Sequence, residues 1–449
     1  MSGTTQAARK SPPRGRLLTV LGASFGLAII VGNTIGAGIL RSPGDIAALL
    51  PIPALFLAAW LLGALYAFGG ANAVCELATM IPRSGGQYQY ARRALGPYAG
   101  FVVGWCDWLG SAGSATAVSL VLAESVVALV PVLEGQSTAV AAVVLVGFTA
   151  LLLRGVREGA RTQAVTSVVK AVAFMALVAA CVVYAVNHGV ASEGAAGIAA
   201  PQGAALLAAF VVAMQGVIYT YDGWTGAIYF TEEMTDPGRD IPRATFGGLA
   251  AVTLIYLAVL VGFVLVVPLP ELAGEALAAG AVAGTIFGDR GELVVRLVIV
   301  FALPSAVSAL LQMTSRVAHA MSVDGLFVAP RWTGEVAMDG TPRHAILASG
   351  SVALLFLLTG TVTAVIAILA FFFVAGYTVS FASVFVLRKR EPATPRPWKA
   401  RGHPWTTGAM LVGSVAFLGG AVASDPRNSL VALALVVASY PLYRLTSVA

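Results

Sequence analysis

Charge is what this chain has least of. Of its 449 residues only 11% are Asp, Glu, Lys or Arg, against 58% hydrophobic. Soluble domains carry about 25% charged residues, so the chain cannot cover a water-facing surface with polar groups. Its length alone would allow two or three soluble domains, but the composition overrides that. Cysteine is scarce as well. Cys75, Cys106 and Cys181 each fall inside an apolar run, which excludes a disulfide framework and a metal-ligand spacing. The four histidines, His188, His319, His344 and His403, are dispersed near helix ends, so no metal or other cofactor is expected. No Ser/His, Cys/His or metal constellation falls at one depth, which argues against an enzyme. The net charge of +6 does not indicate nucleic acid, because the basic residues come in short blocks between apolar runs.

Those runs are the dominant feature. A membrane-spanning helix needs about 20 mostly apolar residues. The pattern predicts an all-α membrane protein with helices at 17–50, 53–80, 98–130, 138–154, 161–187, 204–236, 244–268, 292–320, 344–359, 362–388, 407–424 and 428–445. The first and sixth are interrupted. Arg9, Lys10, Arg14 and Arg16 precede the first run as a signal peptide's charged region would, but the run is far longer than the usual 7–15 apolar residues. It therefore reads as a retained helix. The expected organisation is a cytoplasmic tail (1–16), a core of ten helices (17–388), then a loop and two further helices (389–449). With the tail inside, 22 of the 27 Lys and Arg residues fall on the cytoplasmic side and four on the other. Lys170 is left within the membrane. This is the positive-inside asymmetry of a multi-pass cell-membrane protein with both termini cytoplasmic.

Two predicted helices are anomalous. The first reads Ile30-Val31-Gly32-Asn33-Thr34-Ile35-Gly36-Ala37-Gly38-Ile39-Leu40, followed by Pro43-Gly44. The sixth reads Ile218-Tyr219-Thr220-Tyr221-Asp222-Gly223-Trp224-Thr225-Gly226. Each is too long for one straight span and carries polar or glycine residues half-way. They would open the two five-helix halves of an inverted repeat, whose ligand site lies at the breaks. Little sequence identity between the halves supports this.

At Gly36-Ala37-Gly38 an unwound stretch would expose backbone N–H groups, and the half-helix beyond would add its positive end. A carboxylate fits there. Glycine would permit positive φ and close ligand approach. Gly22, Gly26, Gly32 and Gly36 also fit a small-xxx-small packing pattern, so a lone Gly-x-Gly reads as packing; the matching break at Gly223 reverses that. Freed carbonyls near Tyr219 to Gly223 could take an ammonium, with Tyr219, Tyr221 and Trp224 offering aromatic faces. An aromatic core at a kink is the plainer alternative. Asp222 could cap the second half-helix, bind a proton or pair with an ammonium.

Lys170 lies nine positions beyond Arg161, about 13 Å deep at ~1.5 Å per residue. It either snorkels, pairs with a negative partner or loses its proton. Asp222 lies at a similar depth. Glu76 reads as a structural pair near the inner mouth, Glu124 as a vestibule carboxylate, and the face of Asp107 is open.

The chain resembles the amino acid–polyamine–organocation superfamily, and within it the bacterial relatives of L-type amino acid transporters. The resemblance is carried by Ile35 to Ile39 with Ser42-Pro43-Gly44, by Glu76 to Gly86 with Tyr88, Tyr90 and Leu95-Gly96, by Tyr219 to Trp224 with Glu232-Glu233 and Asp236 to Arg243, and by Ser315-Arg316 with Asp324-Gly325. It implies a five-plus-five inverted repeat with two extra helices. A substrate carboxylate would meet the backbone at Gly36, Ala37 and Gly38, and its amino group the carbonyls near Ile35 and Tyr219. Tyr219 would gate the outer side. Lys170 matches a lysine that replaces a sodium ion of more distant relatives. Ala37 departs from a common Ser, and Asp222 from the Gly of animal members.

The expected function is therefore sodium-independent, alternating-access transport of small to medium neutral amino acids, as an exchanger or proton symporter. Ile35, Gly36, Ala37, Gly38, Tyr219, Thr220, Tyr221, Asp222 and Gly223 would bind substrate, with side-chain contacts from helices three and eight. Lys170, Tyr219 and Asp222 would couple and gate. The expected partners are the amino acid, protons as a second cargo, and the lipid bilayer. Transport of an amine or polyamine paired with Asp222 is the nearest alternative, and a nutrient sensor that binds without flux is another. Animal members pair with a single-span protein, but no cysteine here sits in an outer loop to link one, and the sequence points to no particular protein partner.

Overall fold

The structure is a computed structural model that describes residues 16–36, 38–191, 201–358, 362–424 and 426–448. It is 81% helical, and the described residues form no strand. The elements in order are α1 (Ala23–Thr34), α2 (Gly38–Leu49), α3 (Pro53–Met80), α4 (Gln87–Leu95), α5 (Pro97–Leu129), α6 (Ser137–Leu152), α7 (Val156–His188) and α8 (Gly203–Tyr221). A 3-10 segment (Gly226–Glu233) precedes α9 (Pro237–Val266), α10 (Leu269–Leu272), α11 (Ala278–Phe287) and α12 (Gly291–Val323). Then come α13 (Pro330–Thr333), α14 (Arg343–Leu357), α15 (Val362–Arg390), α16 (Trp405–Ser424) and α17 (Pro426–Val448).

Most of these helices are apolar around their whole circumference, because lipid or protein meets every face. Their starts follow local chemistry. Pro53, Pro97 and Pro237 occupy first helical positions, where the missing N–H has no partner to lose. Among the described residues nine helical segments are long and apolar enough to cross a membrane, and the bent pair α1–α2 makes a tenth if it is one span. The expected fourth and ninth spans, α6 and α14, have 16 and 15 residues, fewer than the ~20 of a full crossing.

The structure corrects several boundaries. The connections 81–97, 269–291 and 321–343 hold the short helices α4, α10 with α11, and α13. α4 is polar, and α10, α11 and α13 are shorter than a spanning run, so a search for spans passes over them. Helix five begins at Val156, not 161, because the polar turn Arg157–Arg161 continues the helix beyond the apolar run. The second half of the sixth helix is a 3-10 segment, not an α-helix.

At the centre α5 lies along α12. Gly104, Ala112, Ala115 and Ser119 of α5 are buried, and their small size permits the close approach. α12 is buried almost throughout from Ser305 to Ser322. Val143, Val172 and Leu254 on the perimeter are exposed, as lipid-facing side chains would be.

One end of the bundle is tied by ion pairs. Arg316 of α12 binds Glu233 through two bonds of 2.9 Å, with both side chains buried. Glu76 accepts from Arg388 at 2.8 and 2.5 Å and from the Ala400 N–H at 2.7 Å, and Arg396 adds an ion pair at 3.1 Å. Asp324 receives the Tyr88 hydroxyl at 2.9 Å and Arg92 at 3.1 Å. Burial and the neighbouring Asp324 push the Tyr88 phenol up, so α4 keeps a neutral donor there. The segment ahead of α1 runs beside the end of the 3-10 segment. The Leu21 N–H donates to the Glu233 carbonyl at 2.9 Å, and Thr235 N–H to the Leu21 carbonyl at 2.8 Å.

Candidate functional site

Both interruptions are present. α1 and α2 meet at a 48° bend, with Ile35 in an extended conformation at φ −75°, ψ 94°. α8 stops at Asp222, φ −57°, ψ 145°, and Gly223 follows at φ +112°. The two breaks touch. A Cβ on Gly223 would sit 2.8 Å from Asn33 Nδ2 and 2.9 Å from both the backbone nitrogen and Oγ1 of Thr34. Only glycine satisfies both the backbone and the contact.

The N-terminal glycines divide by role. A Cβ on Gly26 would meet Ala244 Cβ at 2.6 Å, and one on Gly32 would collide with Gln163. These are packing glycines. At Gly36 the nearest heavy atom would be the Thr34 carbonyl oxygen at 4.0 Å, so packing does not demand glycine there. Neither Gly36 nor Gly38 has a positive φ, contrary to expectation. Gly36 therefore presents open backbone to a cavity between the breaks.

Between the breaks lies a cavity of ≈ 90 Å³. Asn33, Thr34, Gly36 and Gly38 line it from the first break, and Tyr219, Thr220 and Asp222 from the second. Ser114 and Val118 of α5, Leu310 of α12 and Phe373 of α15 complete it. A smaller apolar extension shares Tyr219, Asp222 and Phe373 and adds Ile218, Val374, Tyr377 and Phe417. The Thr34 hydroxyl is buried and has no partner among the described residues, which leaves it free for a ligand. Toward the ion-paired end the site is underlain by buried Trp224, Tyr229 and Phe230. Phe230 meets Phe25 edge-on at 5.0 Å.

Lys170 is fully buried. Its Nζ donates to the Gly32 carbonyl at 2.7 Å and to the Ile35 carbonyl. Those carbonyls are left without helical partners where α1 ends. One turn back, Ser167 Oγ donates to the Ala28 carbonyl at 2.7 Å, and Gln163 reaches the carbonyls of Ala28 at 3.3 Å and Ser305 at 3.2 Å. A polar ladder on one face of α7 therefore fastens the end of α1. Lys170 does not pair with Asp222, and it lies fourteen positions into α7, too deep to snorkel.

Asp222 does not cap the 3-10 segment, whose cap residue is Thr225. Its Oδ1 accepts instead from the Tyr377 hydroxyl of α15. Of the expected site residues, Gly36, Gly38, Tyr219, Thr220 and Asp222 line the cavity. The Ile35 side chain is fully buried and offers only its carbonyl. Tyr221 turns away to Trp60 and Tyr256 at 6.3 and 5.1 Å. Gly223 is spent on the contact with α1, and Ala37 lies outside the described residues. Glu124 is exposed.

Tyr256 of α9 was not foreseen. Its hydroxyl lies 2.7 Å from the Thr34 carbonyl and 2.9 Å from the Thr220 carbonyl, so one phenol spans both breaks. A lone tyrosine within an apolar run was the signal. Asn33 and Thr34, three and two positions before Gly36, were legible as polar residues at mid-span.

A polytopic helical membrane protein with paired broken helices around a small polar cavity is a solute carrier in architecture. The amino acid permease family profile matches residues 19–438, and the chain belongs to that family. It is 25% identical over 438 residues to the serine/threonine exchanger SteT of Bacillus subtilis, covering 94% of this chain and 95% of that one. It is 27% identical over 399 residues to the mouse b(0,+)-type amino acid transporter 1, covering 84% and 78%. It is 30% identical over 394 residues to the human large neutral amino acids transporter small subunit 2, covering 84% and 71%. The chain is an amino acid transporter, not an enzyme.

Proposed function

We propose that this transporter moves small to medium neutral amino acids by alternating access, without sodium, as an exchanger or with protons. Twelve spans, an inverted repeat of five plus five helices, both termini in the cytoplasm and residence in the cell membrane belong to the same reading. The juxtaposition of the two breaks around the cavity carries it. Gly36, Gly38 and the start of α2 suit an α-carboxylate. Carbonyls of the broken helices suit the amino group, and Tyr219, Val118 and Phe373 enclose a short side chain. The Lys170 Nζ occupies the carbonyls of Gly32 and Ile35 behind the first break, which supports independence from sodium. The name of the SteT exchanger supports serine- or threonine-sized cargo.

Exchange of labelled amino acids by the purified protein in proteoliposomes tests this. Small neutral amino acids are expected to exchange at rates unaffected by replacing sodium with choline. Failure of every proteinogenic amino acid, with or without a pH gradient or internal partner, would refute it. Asp222 on the cavity wall favours a second reading, a cationic amine substrate. A competition panel of amino acids against their decarboxylated amines separates the two.

A further inference from the structure

Asp107 is a buried carboxylate that the cavity does not use. It is 6% exposed and lines neither the cavity nor its extension. It lies seven positions before Ser114 on α5, toward the ion-paired end. Its Oδ2 accepts from the Tyr229 hydroxyl at 2.9 Å and its Oδ1 from Ser111 Oγ at 3.4 Å. Asp222, on the cavity, accepts from the Tyr377 hydroxyl. Thr225 is buried, and its side chain lies near both Tyr229 and Tyr377. The five side chains form a string from cavity to deeper carboxylate: Asp222, Tyr377, Thr225, Tyr229, Asp107.

Among the described residues no cation lies within ion-pair distance of either carboxylate. On the surrounding elements, Arg316 of α12 is committed to Glu233, Arg388 of α15 to Glu76, and Tyr88 of α4 to Asp324. His319 lies one turn beyond Arg316 on α12, and Cys106 adjoins Asp107 on α5. Tyr219 and Tyr229 face Asp222, and Arg41 of α2 acts on Tyr219. The two carboxylates also act on each other. Two uncompensated carboxylates in a dry interior repel, and one proton shared between them removes most of that cost.

We infer that Asp107 and Asp222 hold one exchangeable proton and pass it along the hydroxyl string, so that a substrate ammonium in the cavity that Asp222 lines sets where the proton resides. The inference rests on the transport reading and names its coupling site. The Tyr377 hydroxyl first turns its proton from Asp222 to Thr225; the proton leaving Asp222 then adds to the Tyr377 oxygen as that hydroxyl releases its own proton to Thr225. Thr225 releases to Tyr229, and Tyr229 to Asp107. Each hydroxyl ends neutral with one proton, one carboxyl has lost a proton and the other has gained it. A substrate ammonium in the cavity favours ionised Asp222 and drives the proton to Asp107.

The test has two readouts on the purified full chain. Without substrate, infrared difference spectra between acid and neutral pH are expected to show a protonated-carboxyl band that Asp107→Asn removes or shifts. In proteoliposomes with an entrapped pH dye, net amino acid uptake by the wild type is expected to carry about one proton per substrate, the number the pair shares. Asp107→Asn is expected to keep amino acid exchange near the wild-type rate while proton movement falls roughly a hundredfold or more, the least that loss of a proton-transfer group typically costs. Tyr229→Phe, which removes one oxygen, gives the same separation should Asp107→Asn fail to fold. Proton movement at the wild-type rate in both variants, uptake without protons in the wild type, or an unaltered carboxyl band overturns the inference. If no amino acid is carried at all, the transport reading fails, and the infrared readout still decides the proton site.

Discussion

Replacing Lys170 gives the sharpest test of how the first break is held. Its ammonium makes two bonds to backbone carbonyls, those of Gly32 and Ile35. A hydrogen bond from a charged group contributes about 1.5–3 kcal/mol net, so the pair organises the break by about 3–6 kcal/mol. Burying an ammonium costs several kcal/mol. The two terms nearly cancel in global stability but not in local geometry. Lys170→Met keeps most of the buried volume and removes the donors. Its thermal midpoint in detergent is therefore expected to stay close to wild type. The carbonyls are left to find other partners, and the ligand-ready arrangement of the break becomes a minor state. A loss of only ~3 kcal/mol there lowers exchange about 10²-fold. Lys170→Ala is expected to lose exchange equally and to be less stable, because it adds a cavity. Labelled amino acid exchange in proteoliposomes, read beside the midpoint, decides the matter. Wild-type exchange in Lys170→Met would refute the reasoning, since the bonds would then not shape the site.

Two further predictions concern the second break and the tied end. Gly223→Ala must place a Cβ within 3 Å of Asn33 and Thr34 at a φ of +112°. It is expected to cost about 1–3 kcal/mol of stability from the strained backbone alone and to abolish substrate-induced thermal stabilisation; retained stabilisation would mean the breaks can separate without harm. Arg316→Ala strands the buried Glu233 carboxylate and is expected to destabilise by about 3–5 kcal/mol in denaturant titration, whereas Arg316→Met with Glu233→Leu recovers much of it. Equal losses in the single and double variants would contradict this.

The long apolar runs made the spans legible, and α3 begins and ends where hydropathy places it, at Pro53 and Met80. Elements that rely on tertiary contact were not. α4 has nine residues and stands only because Tyr88 and Tyr90 are buried against its neighbours, which no local window contains. The site was half legible for a related reason. Glycine at mid-span marks a break, so Gly36, Gly38 and Gly223 announced themselves. Which side chains turn toward the cavity depends on helix rotation, and uniformly apolar helices carry no phase to reveal it. That is why Tyr221 was expected in the cavity and Phe373 was not. Asp222 showed its depth but not its partner, because Tyr377 lies 155 residues away.

The backbone bonds between Leu21 and the Glu233–Thr235 stretch have a mechanical consequence. They join the leading end of α1 to the trailing end of the 3-10 segment, while Phe25 against Phe230 and Gly226 against Ile29 join their flanks. Two half-helices bonded at the tip and along the side resist shear, so a force that swings one carries the other as a single lever pivoting on Ile35 and Gly223. The far end of that lever is latched to α12 by Arg316. Opening this face then moves the two together, against the Arg316 latch and the Ser167 and Gln163 bonds to Ala28, and not as two independent helices.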